Sequence, residues 1–248
     1  MHILLTNDDG IFAPGLAATY KQLARIAEVS VVAPAQPQSG ASHSISLTPL
    51  TCDKVDITGK FSGYSVEGSP VDCVKLAVTK LIAKPIDMVV SGINHGANTG
   101  IHVHYSGTVG AAMEAAFCGI PAIALSAAFE ADLDLEKAAE YGVRVIEQLI
   151  PLKSPAVINI NIPMLSKGKP KGVKVVPHSV NSYEEAYMQS DGENGQTIYQ
   201  YTSGKHRDKT TTDTTAVLEG YITLTALHFD MTDIKANRKL EKMRFDLT

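Results

Sequence analysis

The stretch His2-Ile3-Leu4-Leu5-Thr6-Asn7-Asp8-Asp9-Gly10 opens the chain with an apolar run suited to a buried strand, and that run ends in two adjacent carboxylates and a glycine. At about 4 Å two like charges repel by roughly 4 kcal/mol at an effective dielectric of about 20, so paired acids at a strand mouth imply a compensating cation. A plainer reading makes Asn7, Asp8 and Asp9 turn and helix-cap residues. The rest of the chain favours the first.

Behind Pro14 and Gly15, the residues Leu16, Tyr20, Leu23, Ala24 and Ala27 recur at helical spacing, and Val29 to Ala33 supplies a second strand stopped by Pro34. This is one βαβ unit, and the pattern repeats. Ser69-Pro70 with Asp72 marks a helix start whose buried stripe is Val74, Ala77, Val78 and Leu81. Strands are predicted at Ile86 to Val90, Ala122 to Leu125 and Val157 to Ile162, with helices at Thr108 to Cys118, closed by Gly119, and at Leu135 to Ile150. The fold class is therefore α/β, Rossmann-like, with a mostly parallel sheet between layers of helices. Beyond Pro163 helical periodicity largely goes, leaving short β-like pieces at Val173 to Val176, Thr197 to Tyr201 and Tyr221 to Leu227. Residues from about 178 to 215 read as an extended arm of the kind that pairs with another subunit. The division expected is a core over 1–177 and, over 178–248, an oligomerisation arm with a C-terminal strand and helix returning to the core.

A chain of 248 residues needs no metal or disulfide for its stability, since it buries roughly 70 to 75% of its unfolded surface. The net charge is −4 and the basic residues are scattered, which argues against a nucleic-acid polymer or an anionic membrane as partner. The three cysteines, Cys52, Cys73 and Cys118, match no zinc or redox spacing and read as buried thiols in a reducing compartment. No signal peptide or membrane span is legible, so a cytoplasmic protein is expected.

Ligands of open parallel sheets bind beyond the carboxyl ends of strands where the strand order reverses. Three loops meet there in this reading: Asp8-Asp9, then Gln38-Ser39-Gly40-Ala41-Ser42, then Ser91-Gly92-Ile93-Asn94 running on to Gly100. Two carboxylates, the Ser39 hydroxyl and the Asn94 carbonyl make an oxygen-only set suited to Mg²⁺ or Mn²⁺. Ser106, Gly107 and Thr108 then open an alanine-rich helix whose free amides and dipole suit an anion, although Ser-Gly-Thr is also an ordinary cap. His102 and His104 lack a third zinc ligand and are read as lining or flanking the site, while His43, His95, His228 and Asp230 receive no role.

Taken together, Asn7-Asp8-Asp9-Gly10, Ser39-Gly40-Ala41-Ser42, Gly68-Ser69-Pro70-Val71-Asp72-Cys73, Ser91-Gly92-Ile93-Asn94 and Tyr105-Ser106-Gly107-Thr108-Val109 resemble the SurE family, stationary-phase survival proteins. The resemblance continues through Asn159-Ile160-Asn161-Ile162-Pro163 and Thr212-Asp213, then Ala216-Val217 and Gly220-Tyr221. It implies a divalent-metal-dependent phosphomonoesterase, a 5'-nucleotidase, acting on nucleoside 5'- and 3'-monophosphates and in some members on short polyphosphate. It also implies that Asp8, Asp9, Ser39 and Asn94 hold one Mg²⁺ or Mn²⁺ per subunit, that Asn98 and Ser106 to Thr108 hold the phosphate, and that the protein is a homodimer or homotetramer with exchanged C-terminal arms. The chain departs from the family pattern at His43, His102 and His104, which bears on substrate preference and pH dependence.

The mechanism expected is in-line attack by a water that Asp8 orients or deprotonates, with the helix amides and the Ser106 and Thr108 hydroxyls stabilising charge on the phosphoryl oxygens. Two alternatives compete with it. A receiver-like phosphoacceptor also pairs acids after its first strand, but here no aspartate ends the third strand and no lysine-proline follows Ala122 to Leu125. A nucleotide-binding oxidoreductase would want Gly-x-Gly-x-x-Gly where this chain has Asn-Asp-Asp-Gly, whereas a non-catalytic nucleotide-binding protein stays open beside the phosphatase.

Overall fold

A computed structural model of the chain describes residues 1–57, 59–153, 156–180, 185–203 and 208–245. In chain order the elements are β1 (His2–Thr6), α1 (Pro14–Leu23), β2 (Glu28–Pro34), β3 (Cys52–Ile57), β4 (Phe61–Val66), α2 (Pro70–Leu76), β5 (Met88–His95), α3 (His102–Tyr105), α4 (Gly107–Phe117) and β6 (Ala122–Ala127). They continue as α5 (Leu135–Leu149), β7 (Val157–Ile162), β8 (Val173–Val175), β9 (Glu185–Asp191), β10 (Thr197–Ser203), α6 (Asp213–Leu218), β11 (Ile222–Leu227) and α7 (Ile234–Leu240).

Strand β1 is buried along its whole length, as its unbroken apolar sequence requires of a strand covered on both faces. It sits inside a sheet of order β3-β4-β2-β1-β5-β6-β7-β11-β8. The pairs from β4 through β7 are parallel, while β3 on β4 and β11 on β7 run antiparallel. The two-residue alternation of β1 divides the core. Ile3 and Leu5 pack with the α1 and α5 side chains Leu16, Leu23, Ala139 and Ile146, whereas Leu4 packs with Val74, Ala77, Ala112 and Ala115 of the α2 and α4 face. From β1 the chain first builds outward through β2 and then returns to add β5 on the other side, so the strand order reverses between β1 and β5. That is where an open parallel sheet offers a ligand crevice.

Strands β1, β2, β6 and β7 and helices α1, α4 and α5 fall within a few residues of expectation. Other segments differ. Cys52–Ile57 and Phe61–Val66 form an unexpected edge hairpin; β3 exposes Asp53, Lys54 and Asp56 because it closes the sheet edge. Strand β5 does not stop at Val90. It passes a register shift between Ser91 and Asn94 and re-pairs with β6 through Asn94 and His95. Gly92 permits this: its φ is +139°, and a Cβ there would lie 2.2 Å from the Leu125 carbonyl oxygen. Helix α2 ends at Leu76 and continues as a π-helical turn over Ala77–Leu81. Beyond residue 178, where one C-terminal helix is expected, there are two, α6 and α7, and α7 buries none of its residues. Of the three cysteines expected to be buried, only Cys73 is; Cys52 and Cys118 are exposed, because they lie on the edge strand and just past the end of α4.

The extended arm lies partly outside the described residues, at 181–184 and 204–207. Within them, β9 and β10 form an antiparallel ribbon separate from the main sheet. No helix among the described residues is long and apolar enough to cross a membrane.

Candidate active site

At the reversal point a depression of about 250 Å³ is lined by Asp8, Asp9, Ser39, Asn94, Asn98 and Ser106, with His95, His102 and Tyr105 completing the wall. Thus six of the eight predicted site residues share one opening, although Asp8 and Asn94 are 86 positions apart in the sequence. Gly107 and Thr108 are buried behind Asp8.

Asp8 is the anchor of the arrangement. Its Oδ2 accepts the Thr108 amide at 3.0 Å and its Oδ1 accepts the Thr108 hydroxyl at 2.6 Å. Gly107 makes the approach possible, since a Cβ on it would meet the Asp8 Cβ at 3.0 Å. Helix α4 is capped by Ser106, whose Oγ accepts the Val109 amide at 3.1 Å. The anion received by the start of α4 is therefore Asp8 itself. A helix start has few free amides, and here Asp8 and Ser106 take those of Thr108 and Val109.

Burial pushes the Asp8 carboxyl above its usual range despite the bonds from Thr108. Asp9 is pushed up as well, first by burial and then by the charge of Asp8. Two neighbouring carboxylates that both resist ionisation are the setting a cation relieves. The donors around them suit a hard ion: Asn94 spends its amide nitrogen on the Gly96 carbonyl at 2.8 Å, which leaves an oxygen that could face a cation, and Ser39 adds an exposed hydroxyl. Among the described residues no three His, Cys, Asp or Glu side chains gather as a metal cluster, so the donor set has only two charged members and needs neutral oxygens to complete it.

The segment carrying Ser39 has no regular structure, yet it is tied down at several points. The Gln38 amide donates to the Asp8 carbonyl at 2.7 Å and the Ser42 amide to the Tyr105 carbonyl at 3.2 Å. Asp72, in the capping box of α2, accepts the Ser46 amide and hydroxyl, and the Ser69 hydroxyl donates to the Ser44 carbonyl at 2.7 Å. His43 Nε2 lies 2.9 Å from Glu114 of α4, which also binds Lys75 at 2.7 Å. Hydrogen bonding from His43, then from Lys75, holds the Glu114 carboxyl below the usual range against its burial.

Asn98 is fixed from β6 and β7. Its amide donates to Asn161 Oδ1 at 2.7 Å, its carbonyl accepts from Asn159 Nδ2 at 2.7 Å, and its side-chain nitrogen reaches Ser126 Oγ at 2.9 Å. Farther along the same loop, the Gly100 amide donates to Asp213 at the start of α6. Sequence reasoning assigned no role to Ser126, Asn159, Asn161, Glu114 or Asp213. The available signals were the resemblance motifs that contain Asn159, Asn161 and Asp213 and, for Ser126 and Glu114, a polar residue inside an apolar strand and an alanine-rich helix.

The histidines separate. His95 and His102 line the depression, as the flanking role allowed for His102. His104 faces a different cavity and packs edge-on to His178 at 5.8 Å. His43 belongs to the Glu114 tether.

A family model described as "Survival protein SurE" matches residues 3–185. The chain belongs to the SurE family. It is 43% identical over 238 residues to "5'-nucleotidase SurE" of Rhodopirellula baltica, with 94% of each chain covered. It is 42% identical to the protein of the same name from Syntrophomonas wolfei, covering 94% of this chain and 90% of that one. Among solved structures, a SurE protein from Aquifex aeolicus superposes with a TM-score of 0.83 at 36% identity, covering 98% of this chain and 100% of that one. This SurE chain thus shares its fold with a solved SurE protein over 98% of its length.

Proposed function

We propose that the protein is a divalent-cation-dependent 5'-nucleotidase, a phosphomonoesterase that hydrolyses nucleoside 5'-monophosphates, and 3'-monophosphates, to nucleoside and phosphate. The observation that carries this reading is the meeting of Asp8, Asp9, Ser39 and Asn94 at one opening, with both acids pushed above their usual range by burial. The names of the relatives from Rhodopirellula and Syntrophomonas support the same activity.

In this reading Asp8, Asp9, Ser39 and Asn94 hold one Mg²⁺ or Mn²⁺, which when bound offsets the carboxylate charge, polarises a phosphoryl oxygen and lowers the pKa of a water. Asp8 orients the attacking water through its carboxylate, which Thr108 holds in a single position. Ser106 Oγ accepts the Val109 amide and so keeps its own proton for a phosphate oxygen. Asn98 Nδ2 spends one hydrogen on Ser126 and has a second for the phosphate. Gly107 and Thr108 serve the phosphate indirectly, by fixing Asp8. The core over 1–177 contains all of these residues. The arm beyond it is read as the means of forming a homodimer or homotetramer, a reading supported by the exposed Tyr187, Tyr199 and Ile198 of its ribbon.

A phosphate-release panel tests the reading: nucleoside monophosphates, sugar phosphates and tripolyphosphate, with chelator and then with each cation restored. Cation-dependent release from nucleoside monophosphates is expected. Equal release in the presence of excess chelator would overturn it.

A further inference from the structure

Beside the candidate catalytic depression lies a larger cavity of about 520 Å³, and Ala97 and His102 line both. Its size is that of a small-molecule pocket, for which volumes of roughly 300 to 1,000 Å³ are usual. A group attached to a phosphate at Ser106 and Asn98 has this cavity as its neighbour. One wall is aromatic. Phe129 is 64% exposed and its ring stacks on His95 at 4.8 Å and 18°. His95 is in turn fixed by contact with the Glu130 carbonyl at 2.8 Å.

The lining is also cationic, with Lys167, Lys169 and Lys171 within five positions of sequence. The aromatic and lysine-bearing segments are joined, because the Glu130 carboxylate accepts the Leu165 amide at 2.6 Å and the Ser166 amide at 3.0 Å. Glu219 also lines the cavity, but Lys174 binds its carboxylate at 2.9 Å. The side-chain charges left to meet a ligand are therefore ammonium groups, each with three donors and no acceptor.

We infer that this cavity is the leaving-group pocket, that it stacks the nucleobase on Phe129, and that the lysines select 6-oxopurine nucleotides. Guanine and hypoxanthine offer adjacent O6 and N7 acceptors, whereas adenine places an amino donor at the sixth position, which ammonium groups cannot satisfy. The inference rests on the phosphomonoesterase reading above and adds its substrate preference.

The test compares kcat/KM for GMP, IMP, AMP, ribose 5-phosphate and tripolyphosphate in the cation-loaded enzyme, its K167M/K169M variant and its F129L variant. Both lysines are exposed, so their replacement leaves folding intact. GMP and IMP are expected to exceed AMP by roughly fivefold or more in the unmodified enzyme, and by no more than about twofold in K167M/K169M. F129L is expected to raise KM for every nucleotide relative to ribose 5-phosphate. Equal use of GMP and AMP by the unmodified enzyme, or a ratio that survives K167M/K169M, overturns the base reading while cleavage of ribose 5-phosphate leaves the phosphomonoesterase reading standing. A K167M/K169M variant that loses tripolyphosphate cleavage but keeps the GMP-to-AMP ratio shows that the lysines read a distal anion instead, and overturns the inference. No cleavage of any ester overturns the functional reading and this inference with it.

Discussion

Thr108 gives both of its donors to Asp8, the amide at 3.0 Å and the hydroxyl at 2.6 Å, across a sequence separation of 100 residues. A buried carboxylate with one partner can rotate; one gripped at both oxygens by a single residue on a helix start cannot. The first turn of α4 is thus the part of the fold that aims the proposed catalytic group. Its glycine and threonine are needed for that reason, whether or not they touch substrate.

Asp8→Asn is expected to lower kcat on the order of 10² to 10⁴ while the far-UV circular dichroism stays native. Thr108→Val removes only the hydroxyl, so it should lower kcat less and reduce stability by about 1 kcal/mol, with Thr108→Ser close to the native enzyme in both. Steady-state kinetics and urea unfolding of the three variants check this. An Asp8→Asn enzyme with native turnover at saturating cation would remove Asp8 from the mechanism.

Asp9 stands in the field of Asp8 and is pushed up by burial and by that charge, so without a cation its carboxylate works against folding at neutral pH. The chelated Asp9→Asn protein is therefore expected to melt higher than the chelated native protein. Adding Mg²⁺ or Mn²⁺ at 100 times the dissociation constant should then stabilise the native protein by about 2.7 kcal/mol, and the variant by much less at the same concentration. Differential scanning calorimetry with and without chelator reads both effects. A native protein whose melting ignores the cation would contradict the donor set.

Much of this was legible because its cause is local. The burial of β1 and its divided packing follow from an unbroken apolar run, and the α2 start follows from Ser69, Pro70 and Asp72, which form the capping box that the residue types foretold. The convergence of Asp8, Ser39 and Asn94 was legible through topology, since strand ends at a reversal must meet. What stayed hidden depends on partners remote in sequence. Nothing near Thr108 announces that its donors turn to Asp8 rather than outward to a ligand. The extension of β5 past Val90 was hidden because Gly92 reads as a strand terminator until the Leu125 carbonyl pressing against it is seen. The β3–β4 hairpin was hidden for a similar reason: an edge strand such as Cys52–Ile57 has polar residues where a core strand would not.

Glu114 carries a pH signature of its own. The titratable groups facing it are His43, Lys75 and Cys118, and hydrogen bonding from His43 leads in holding its carboxyl below the ordinary range. A depressed carboxyl stabilises the fold fully above its unfolded value, about 4.3, and that contribution is lost as pH falls through the lower folded value. Glu114→Gln should therefore cost about 1.5 to 3 kcal/mol at neutral pH. The gap between native and variant should close progressively in acid below the ordinary glutamate range. Urea unfolding across pH measures it, and a gap independent of pH would mean that the carboxylate charge does not hold the Ser39 segment against α4.

Asn161 separates positioning from mere packing at the phosphate side of the site. Its Oδ1 accepts the Asn98 amide at 2.7 Å and its Nδ2 lies 3.3 Å from the Asn98 carbonyl, both buried. Asn161→Ala leaves the Asn98 amide without its acceptor, at a cost of about 1 to 3 kcal/mol, and frees the loop that presents Asn98 to the opening. Asn161→Asp keeps the acceptor but replaces the donor with an oxygen, placing a buried charge beside the Asn98 carbonyl; Asn159 still supplies that carbonyl with a donor. If Asn161 acts by positioning Asn98, KM for phosphate esters rises more in Asn161→Ala than in Asn161→Asp, even though the buried charge makes Asn161→Asp at least as unstable. If Asn161 is only packing, KM follows stability in both variants and the order reverses, which kinetics measured beside urea unfolding will resolve.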